Sequence, residues 1–501
     1  MKIFSAAQIK AWDAYTIEHE PIGSLALMER AASACVEWIL AGAYSKKHFQ
    51  IFCGKGNNGG DGLVIARLLV QQQYEVDVYI LEQGAAGTPD FQTNLQRLHK
   101  CTHRIHFLQT KEIFPEINDR SIVVDALFGT GLTRPLNGLA AELIRWINAH
   151  TAHTLSIDIP SGMNADISSL GNDIVRADHT LSFQCWKQAL LMEENAGYVG
   201  TVHILPIGLH TDFESNEHAW LQMITGDSLK NHLLPRLPFS HKGDYGHALM
   251  IAGSKGKIGA AVLAANACMR SGVGLLTVHL PECGYGVMQT ALPEAMVSVD
   301  EDDAFFSSLP EDLEKYRTIG IGPGIGMEEV TAKALALLIG KYKQPMVLDA
   351  DALNIIAQKG ISHFDIPQGS IFTPHPGEFE RLFGSAPNHF KRVLLALRKA
   401  HEFQSVIVLK SKYTLIACPD GTAWINPTGN PGMAKAGSGD VLTGIITGLL
   451  TRGYSSEIAA RLGVYLHGYA GDLAVSQQGF ESALASDITA NLPPAFAALS
   501  K

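Results

Sequence analysis

The sequence predicts two α/β domains in series, each built on a mostly parallel sheet with helices on both faces. Three observations predict it. The chain has 501 residues, more than the ~100–200 typical of one domain. Short apolar runs alternate with helical stretches in two successive series. A polar stretch with two prolines separates the series. Strands alternating with helices are joined by crossovers that leave them parallel, and the helices cover both faces of the sheet.

Residues 5 to about 40 read as helical. Ile9, Trp12, Ile17, Leu25, Leu27, Val36 and Ile39 recur at loosely helical spacing, and Pro21 and Gly23 divide the stretch in two. Strands of the first series are predicted at 49–53, 76–81, 122–127, 154–159, 180–183 and 202–205. Residues 210–246 turn polar and carry Pro235 and Pro238, which places the boundary between about 210 and 225. The expected domains are 1–215 and 216–501. The second series has strands at 247–252, 275–280, 318–321, 346–348, 370–372 and 406–410. A hairpin over 414–418 and 423–426 closes on Pro419-Asp420-Gly421.

The net charge of −10 argues against a nucleic acid or an anionic membrane as partner. Hydrophobic residues make up 46% and charged ones 18% of the chain, as in an ordinary globular protein. None of the seven cysteines pairs at a CxxC spacing, so neither a disulfide nor a zinc framework is predicted. The start, MKIFSAAQIKAWDAY, lacks an apolar signal core, and no apolar run reaches ~18 residues. A soluble protein of the reducing cytoplasm is expected.

In the first domain, FQIFCGKGNNGGDGLVIARLL reads as a strand, a loop with five glycines, and a helix beginning near Leu63. Glycines let the backbone turn tightly and approach a ligand, and a helix N-terminus favours anions. Such turns often bind nothing, and this one matches neither the GxGxxG fingerprint nor a P-loop. Two further strands end in polar signals, however. Asp125 precedes a second glycine loop in VVDALFGTGLTRP, and Asp158 precedes Pro160, Ser161 and Gly162 in SIDIPSGMNAD. An isolated Asp or Ser is usually a cap. Three signals at equivalent strand ends, where open α/β sheets bind ligands, predict a site.

In the second domain, Gly437-Ser438-Gly439-Asp440 opens a helix predicted over 441–450. Its amides make an anion hole. An acid beside an anion site opposes binding unless it has a task, although Asp440 also suits a first helical turn. IGIGPGIG, VLDADALN with Asp349 and Asp351, and TPHPGEFERL, in which His375 sits between two prolines, lie at other strand ends. The alanine-rich helix after HKGDYGHALMIAGSKG is read as close packing on the sheet.

GNNGGDGLVIARLL, VVDALFGTGLTRP, SIDIPSGMNAD and ADHTLSFQCWKQALL resemble the motifs of NAD(P)H-hydrate epimerases, a Rossmann-like domain, over roughly residues 1–210. The resemblance implies that Asn57, Asn58, Gly59, Gly60 and Asp61 contact hydrated NADH or NADPH. Gly129, Thr130, Gly131, Leu132, Thr133, Arg134 and Pro135 would wrap its phosphates, and Asp158 would stand at the reacting ring. Asn58, Asp125 and Ser161 would bind a potassium ion, and their oxygens suit a hard cation. From about His241 to Gly453 the chain resembles the ribokinase-like, ADP- or ATP-dependent NAD(P)H-hydrate dehydratases. By motif, Ala260, Gly324, His375 and Asp440 would hold the hydrated cofactor. Lys410, Ser411, Lys412, Tyr413, Thr414 and Gly439 would hold the nucleotide with its Mg2+. Asp440 would take the proton of the attacking hydroxyl. Ser411 stands where glycine is usual, and Lys435 where a small residue is usual. Bacterial two-domain members are associated with ADP. A homo-oligomer acting on small molecules is expected.

Two alternatives remain at this level. A ribokinase-like small-molecule kinase with an appended nucleotide-binding domain also accounts for GSGD, but it leaves TPHPGE, HKGDYG and the N-terminal motifs unexplained. A non-catalytic scaffold leaves Asp158 and Asp440 without a role.

Overall fold

A computed structural model describes residues 1–42, 44, 47–362 and 365–500. The chain forms two compact units, one of residues Lys2–Ala219 and one running from Trp220 onward, residues 388–390 aside. The division falls slightly after the expected 215/216. Helix Thr211–Asn216 belongs to the first unit, where Phe213 packs on Phe4 and Trp12 at ring-centroid distances of 6.0 and 5.9 Å. The short strand Leu221–Met223 belongs to the sheet of the second.

After a two-residue strand β1 (Lys2–Ile3), two helices form where Pro21 and Gly23 divide the apolar pattern, at Ala6–His19 and Ser24–Ala41. Ser5 and Gln8 close a capping box on the first, satisfying amides that the helix leaves free. Strands β2 (His48–Cys53), β3 (Glu75–Leu81), β4 (Ile105–Leu108), β5 (Ile122–Ala126), β6 (His153–Ile157), β7 (His179–Phe183) and β8 (Thr201–Leu205) follow. They pair in the order β4-β3-β2-β5-β6-β7-β8, every pair parallel. Successive strand residues point to opposite faces. Phe49, Ile51 and Cys53 therefore pack with Met28, Cys35 and Ile39, while Phe52 and Val123 pack with Leu143, Ile144 and Ile147 of helix Gly138–Asn148.

The glycine-rich segment after β2 departs from expectation. The helix begins at Asn57, not near Leu63, so Gly59, Gly60 and Gly62 lie in its first turns. They are there for contact. A Cβ on Gly59 would stand 1.7 Å from the Gly54 carbonyl oxygen, and one on Gly62 would stand 2.6 Å from the Ala126 Cβ.

The second unit contains β9 (Leu221–Met223), β10 (His247–Ile251), β11 (Leu275–Leu280), β12 (Met296–Val299), β13 (Thr318–Ile321), β14 (Met346–Leu348), β15 (Ile371–Phe372), β16 (Val406–Leu409), β17 (Leu415–Ala417) and β18 (Ala423–Ile425). Their order is β9-β18-β17-β16-β15-β14-β13-β10-β11-β12. Pairing is parallel except where the hairpin runs β16-β17-β18. Helix Ser438–Arg452 starts three residues before the predicted 441 and lies against helix Ile258–Arg270 with almost no side chain between them. A Cβ on Gly444 would be 2.1 Å from the Ala264 carbonyl oxygen. No helix among the described residues is long and apolar enough to cross a membrane.

Candidate active sites

In the first unit the strand order reverses between β2 and β5, and the polar strand ends gather there, as in other open α/β sheets. Asp125 is fully buried. Its Oδ2 accepts from the Ser156 hydroxyl and the Ser161 amide, both at 2.8 Å, and its Oδ1 accepts from the Ser161 hydroxyl at 2.5 Å. Burial raises its carboxyl above the usual range against the pull of these donors. The Ser161 Oγ also accepts from the Phe128 amide at 2.8 Å, tying the second glycine loop to the turn after Asp158. Asn58 is 9% exposed, and among the described residues neither its Oδ1 nor its Nδ2 has a hydrogen-bond partner. An orphaned buried amide is expensive and points to a missing ligand.

Asp158 is a non-glycine residue with φ +68°, a left-handed backbone that costs on the order of 1–3 kcal/mol and collects at functional sites. The turn drives its carboxylate inward, where it is 8% exposed and Oδ2 accepts from the Thr130 amide at 3.0 Å. A Cβ on Gly129 would stand 2.9 Å from that oxygen and 3.3 Å from the Asn58 side chain. Asn58, Gly129, Thr130 and Asp158 therefore meet. Gly131, Thr133, Arg134 and Pro135 continue the loop, exposed beside this cluster, and the Leu132 carbonyl is held by Asn164 at 3.0 Å. Asn57 and Asp61 share the first turns of the helix carrying Asn58. Burial, then Asp158, Asp13 and Asp90, push the Asp61 carboxyl well above its ordinary value. Asp13 rises to about 6 through burial and Asp158, with Lys187 opposing. Neither Asp13 nor Lys187 was predicted as a site residue.

In the second unit, Gly437 takes φ +90° and caps helix Ser438–Arg452. Asp440 lies in the first turn, and its carboxyl is pushed up to about 6 by burial and by Asp349, with Lys410 opposing. Among the described residues no hydrogen bond holds that carboxylate, so both oxygens are left for a ligand. A Cβ on Gly439 would lie 3.7 Å from the Lys410 Nζ. Lys410 bonds Asp349 Oδ1 at 2.8 Å and lies 3.8 Å from Glu378 Oε2. Burial pulls its ammonium down, but Asp349, Glu378 and Asp440 outweigh this and hold it above the usual range.

The other expected residues surround this group. Gly324 (φ +63°) brings its backbone against Ala260, whose Cβ would be 3.1 Å from one on the glycine. Asp351 accepts from the Gly326 amide at 2.9 Å. His375 caps helix Pro376–Phe383, its Nδ1 accepting from the Gly377 amide at 3.0 Å. Nε2 therefore carries the ring proton and can donate to a ligand. The Lys410 amide donates to the Pro374 carbonyl at 2.9 Å, placing His375 beside the Lys410–Thr414 loop. In that loop Ser411 Oγ donates to the Tyr413 carbonyl at 2.9 Å and Thr414 Oγ1 to the Ser411 carbonyl at 3.0 Å, so the serine closes the turn upon itself. Lys412 is exposed, 5.2 Å from the centroid of the Tyr413 ring. Lys435 donates to the Glu481 carbonyl and is thereby turned to a structural contact. His467, which the sequence did not single out, holds the Ser438 carbonyl through Nε2 at 2.9 Å.

Comparison with known proteins agrees with both halves. A family model described as NAD(P)H-hydrate dehydratase matches residues 248–494, and one described as YjeF-related protein N-terminus matches residues 24–189. The bifunctional NAD(P)H-hydrate repair enzyme Nnr of Moorella thermoacetica is 37% identical over 98% of this chain and 96% of its own. That of Escherichia coli is 34% identical over 93% and 88%. The ADP/ATP-dependent NAD(P)H-hydrate dehydratase of Bacillus subtilis, co-crystallised with ATP/Mg2+, is 36% identical. It covers 56% of this chain and 98% of its own, with a TM-score of 0.50.

Fold and sites together define a two-domain α/β enzyme with a ribokinase-like second domain. The chain belongs to the bifunctional NAD(P)H-hydrate repair enzymes, which join an epimerase to a dehydratase.

Proposed function

We propose that the two clusters described above are the two active sites of this repair enzyme. In the epimerase, hydrated NADH or NADPH would lie between Asn57–Asp61 and Gly129–Pro135 with its ring at Asp158. In this reading the C6 hydroxyl proton leaves as the N1–C6 bond opens to an aldehyde, its electron pair passing to N1 and the conjugated carboxamide, and the nitrogen then recloses on the other face. Asp158 would take that proton and return it. A potassium ion fits Asn58, Asp125 and Ser161. The orphaned Asn58 amide oxygen, the buried Asp125 carboxylate and the Ser161 hydroxyl make an all-oxygen donor set. Such an ion supplies fixed positive charge beside an anionic ligand.

In the dehydratase, ADP or ATP would lie over Lys410–Thr414 and Gly439, and the hydrated ring against Ala260, Gly324 and His375. Hydroxide leaves C6 poorly. Asp440 would accept the C6 hydroxyl proton as that oxygen attacks the terminal phosphorus and the nucleotide's bridging P–O bond breaks. The Gly437–Gly439 amides would stabilise the transferring phosphoryl group. Phosphate then leaves with a proton from C5, restoring the C5=C6 double bond. Asp349 is already engaged by Lys410 and Thr443, so Mg2+ is expected to arrive on the nucleotide phosphates, neutralising their charge. The unbonded Asp440 carboxylate at the mouth of the Gly437 anion hole carries this reading.

The test is recovery of reduced-nicotinamide absorbance from a mixture of hydrated NADH epimers with ADP or ATP. Absence of recovery with both nucleotides overturns the reading.

A further inference from the structure

Lys187 is 1% exposed, an unusual environment for lysine, which is almost never fully buried unless paired. It follows β7, where Gln184 takes a left-handed φ of +61°. The Gln184 Oε1 accepts from the Ile207 amide at 2.9 Å, pinning the turn that folds the lysine back over the strand end. Its ammonium has three neighbours: Ser182 Oγ at 3.0 Å, the Phe183 carbonyl at 2.7 Å and Asp158 Oδ1 at 3.0 Å. Ser182 Oγ and the Phe183 carbonyl accept hydrogen bonds from the ammonium, and Asp158 Oδ1 stands against it as an ion pair.

Two consequences follow. Lys187 is 1% exposed and turned inward onto these three groups, so it acts on a substrate through Asp158. In addition, the Asp158 carboxylate is held at both ends, Oδ1 by Lys187 and Oδ2 by the Thr130 amide. The oxygen facing Gly129 and Asn58 is Oδ2, and it keeps a lone pair beyond the single amide it accepts.

We propose that Lys187 is the positioning residue of the epimerase: it clamps Asp158 Oδ1 so that Oδ2 alone is presented to the C6 hydroxyl of the hydrated ring. This rests on Asp158 being the epimerase acid/base. The surroundings are otherwise acidic. Asp13 and Asp61 both interact electrostatically with Asp158, and Lys187 is the cation opposing the effect of Asp158 on Asp13. Without it, Asp158 keeps only the Thr130 amide on Oδ2 to orient it among carboxyl neighbours, and Asp13 keeps its proton to higher pH.

The experiment compares full-length Lys187→Met, Ser182→Ala and Asp158→Asn with the parent, following epimer exchange by chromatography across pH. Dehydratase turnover in the same samples reports folding. Lys187→Met is expected to lower the epimerase kcat by about 10²-fold, the low end of acid–base contributions, with KM nearly unchanged and the acid limb of the profile moved upward as the cation opposing the acidic neighbours is lost. Ser182→Ala, which removes only one of the three ammonium partners, should shift the same limb less and serves if Lys187→Met does not fold. If Asp158→Asn is inactive while Lys187→Met, or Ser182→Ala in its place, keeps parental kcat and pH profile, the positioning role is wrong and the Asp158 reading stands. Unchanged exchange in Asp158→Asn removes the reading beneath it.

Discussion

Lys410 and Asp349 form an ion pair of 2.8 Å directly beneath the anion hole, and the other Asp349 oxygen takes the Thr443 hydroxyl at 2.6 Å. The Lys410–Thr414 loop, the proposed nucleotide contact, is thereby latched to the helix that carries Asp440. Lys410 also holds the Asp440 carboxyl below where burial and Asp349 would leave it. A base acts only when deprotonated, so dehydration should fall as pH drops through about 6. In Lys410→Met that limb should move to higher pH and nucleotide KM should rise. Steady-state dehydration across pH tests both, and an unmoved limb contradicts the coupling.

Asp440→Asn keeps the shape of the helix start but removes the proton acceptor. Dehydration should fall by about 10²–10⁴-fold, the usual range for a lost general base, while epimer exchange persists. Equal loss of both activities would point to unfolding rather than chemistry.

Epimer exchange should depend on potassium. Replacing it with lithium, which is too small for an oxygen cage of this kind, should slow exchange in the parent enzyme. Asp125→Asn should be slow in either salt. A parental rate indifferent to the cation counts against the Asn58–Asp125–Ser161 site.

Gly59→Ala places a methyl 1.7 Å from the Gly54 carbonyl oxygen. Overpacking of this kind costs about 1–3 kcal/mol or more, and the backbone shift displaces Asn58 beside it. Thermal unfolding should show lower stability and epimer exchange should be lost. Parental values for both would mean that the loop has room the structure does not show.

His375→Ala removes a side-chain cap worth about 0.5–2 kcal/mol together with the Nε2 donor. His375→Asn keeps a cap acceptor but not that donor. If the donor holds the hydrated ring, Asn should restore stability without restoring KM. Recovery of both assigns His375 to capping alone.

Much of this was legible in the chain. The alternation of apolar runs with helices names the central strands because buried parallel strands are nearly continuous in Val, Ile and Leu. The edges were harder to read. β4 and β12 are four residues each, with Phe107, Met296 and Val299 40–44% exposed, so they lack the burial that writes a pattern. Asp125 and Asp158 at strand ends, and Asp440 at a helix start, stood out because acids beside glycine turns have few other reasons to be there. Lys187 did not, because lysine reads as surface until a left-handed turn and three acceptors are seen around it. Asp13 was hidden for the related reason that one acid in a helix looks like solvent-facing charge. The onset of the helix at Asn57 was missed because glycine is a poor helix former, and here close contact with the sheet outweighs that preference.

The glycine face of helix Ser438–Arg452 has a mechanical consequence. With Gly444 and Gly448 seated on the main chain of the neighbouring helix, at would-be Cβ distances of 2.1 and 2.7 Å, the helix has no compliant layer beneath it. Axial sliding would drive backbone into backbone. The proposed catalytic carboxylate of Asp440 is therefore mounted on a fixed anvil, and adjustment to a bound ligand would fall to the loops that approach it.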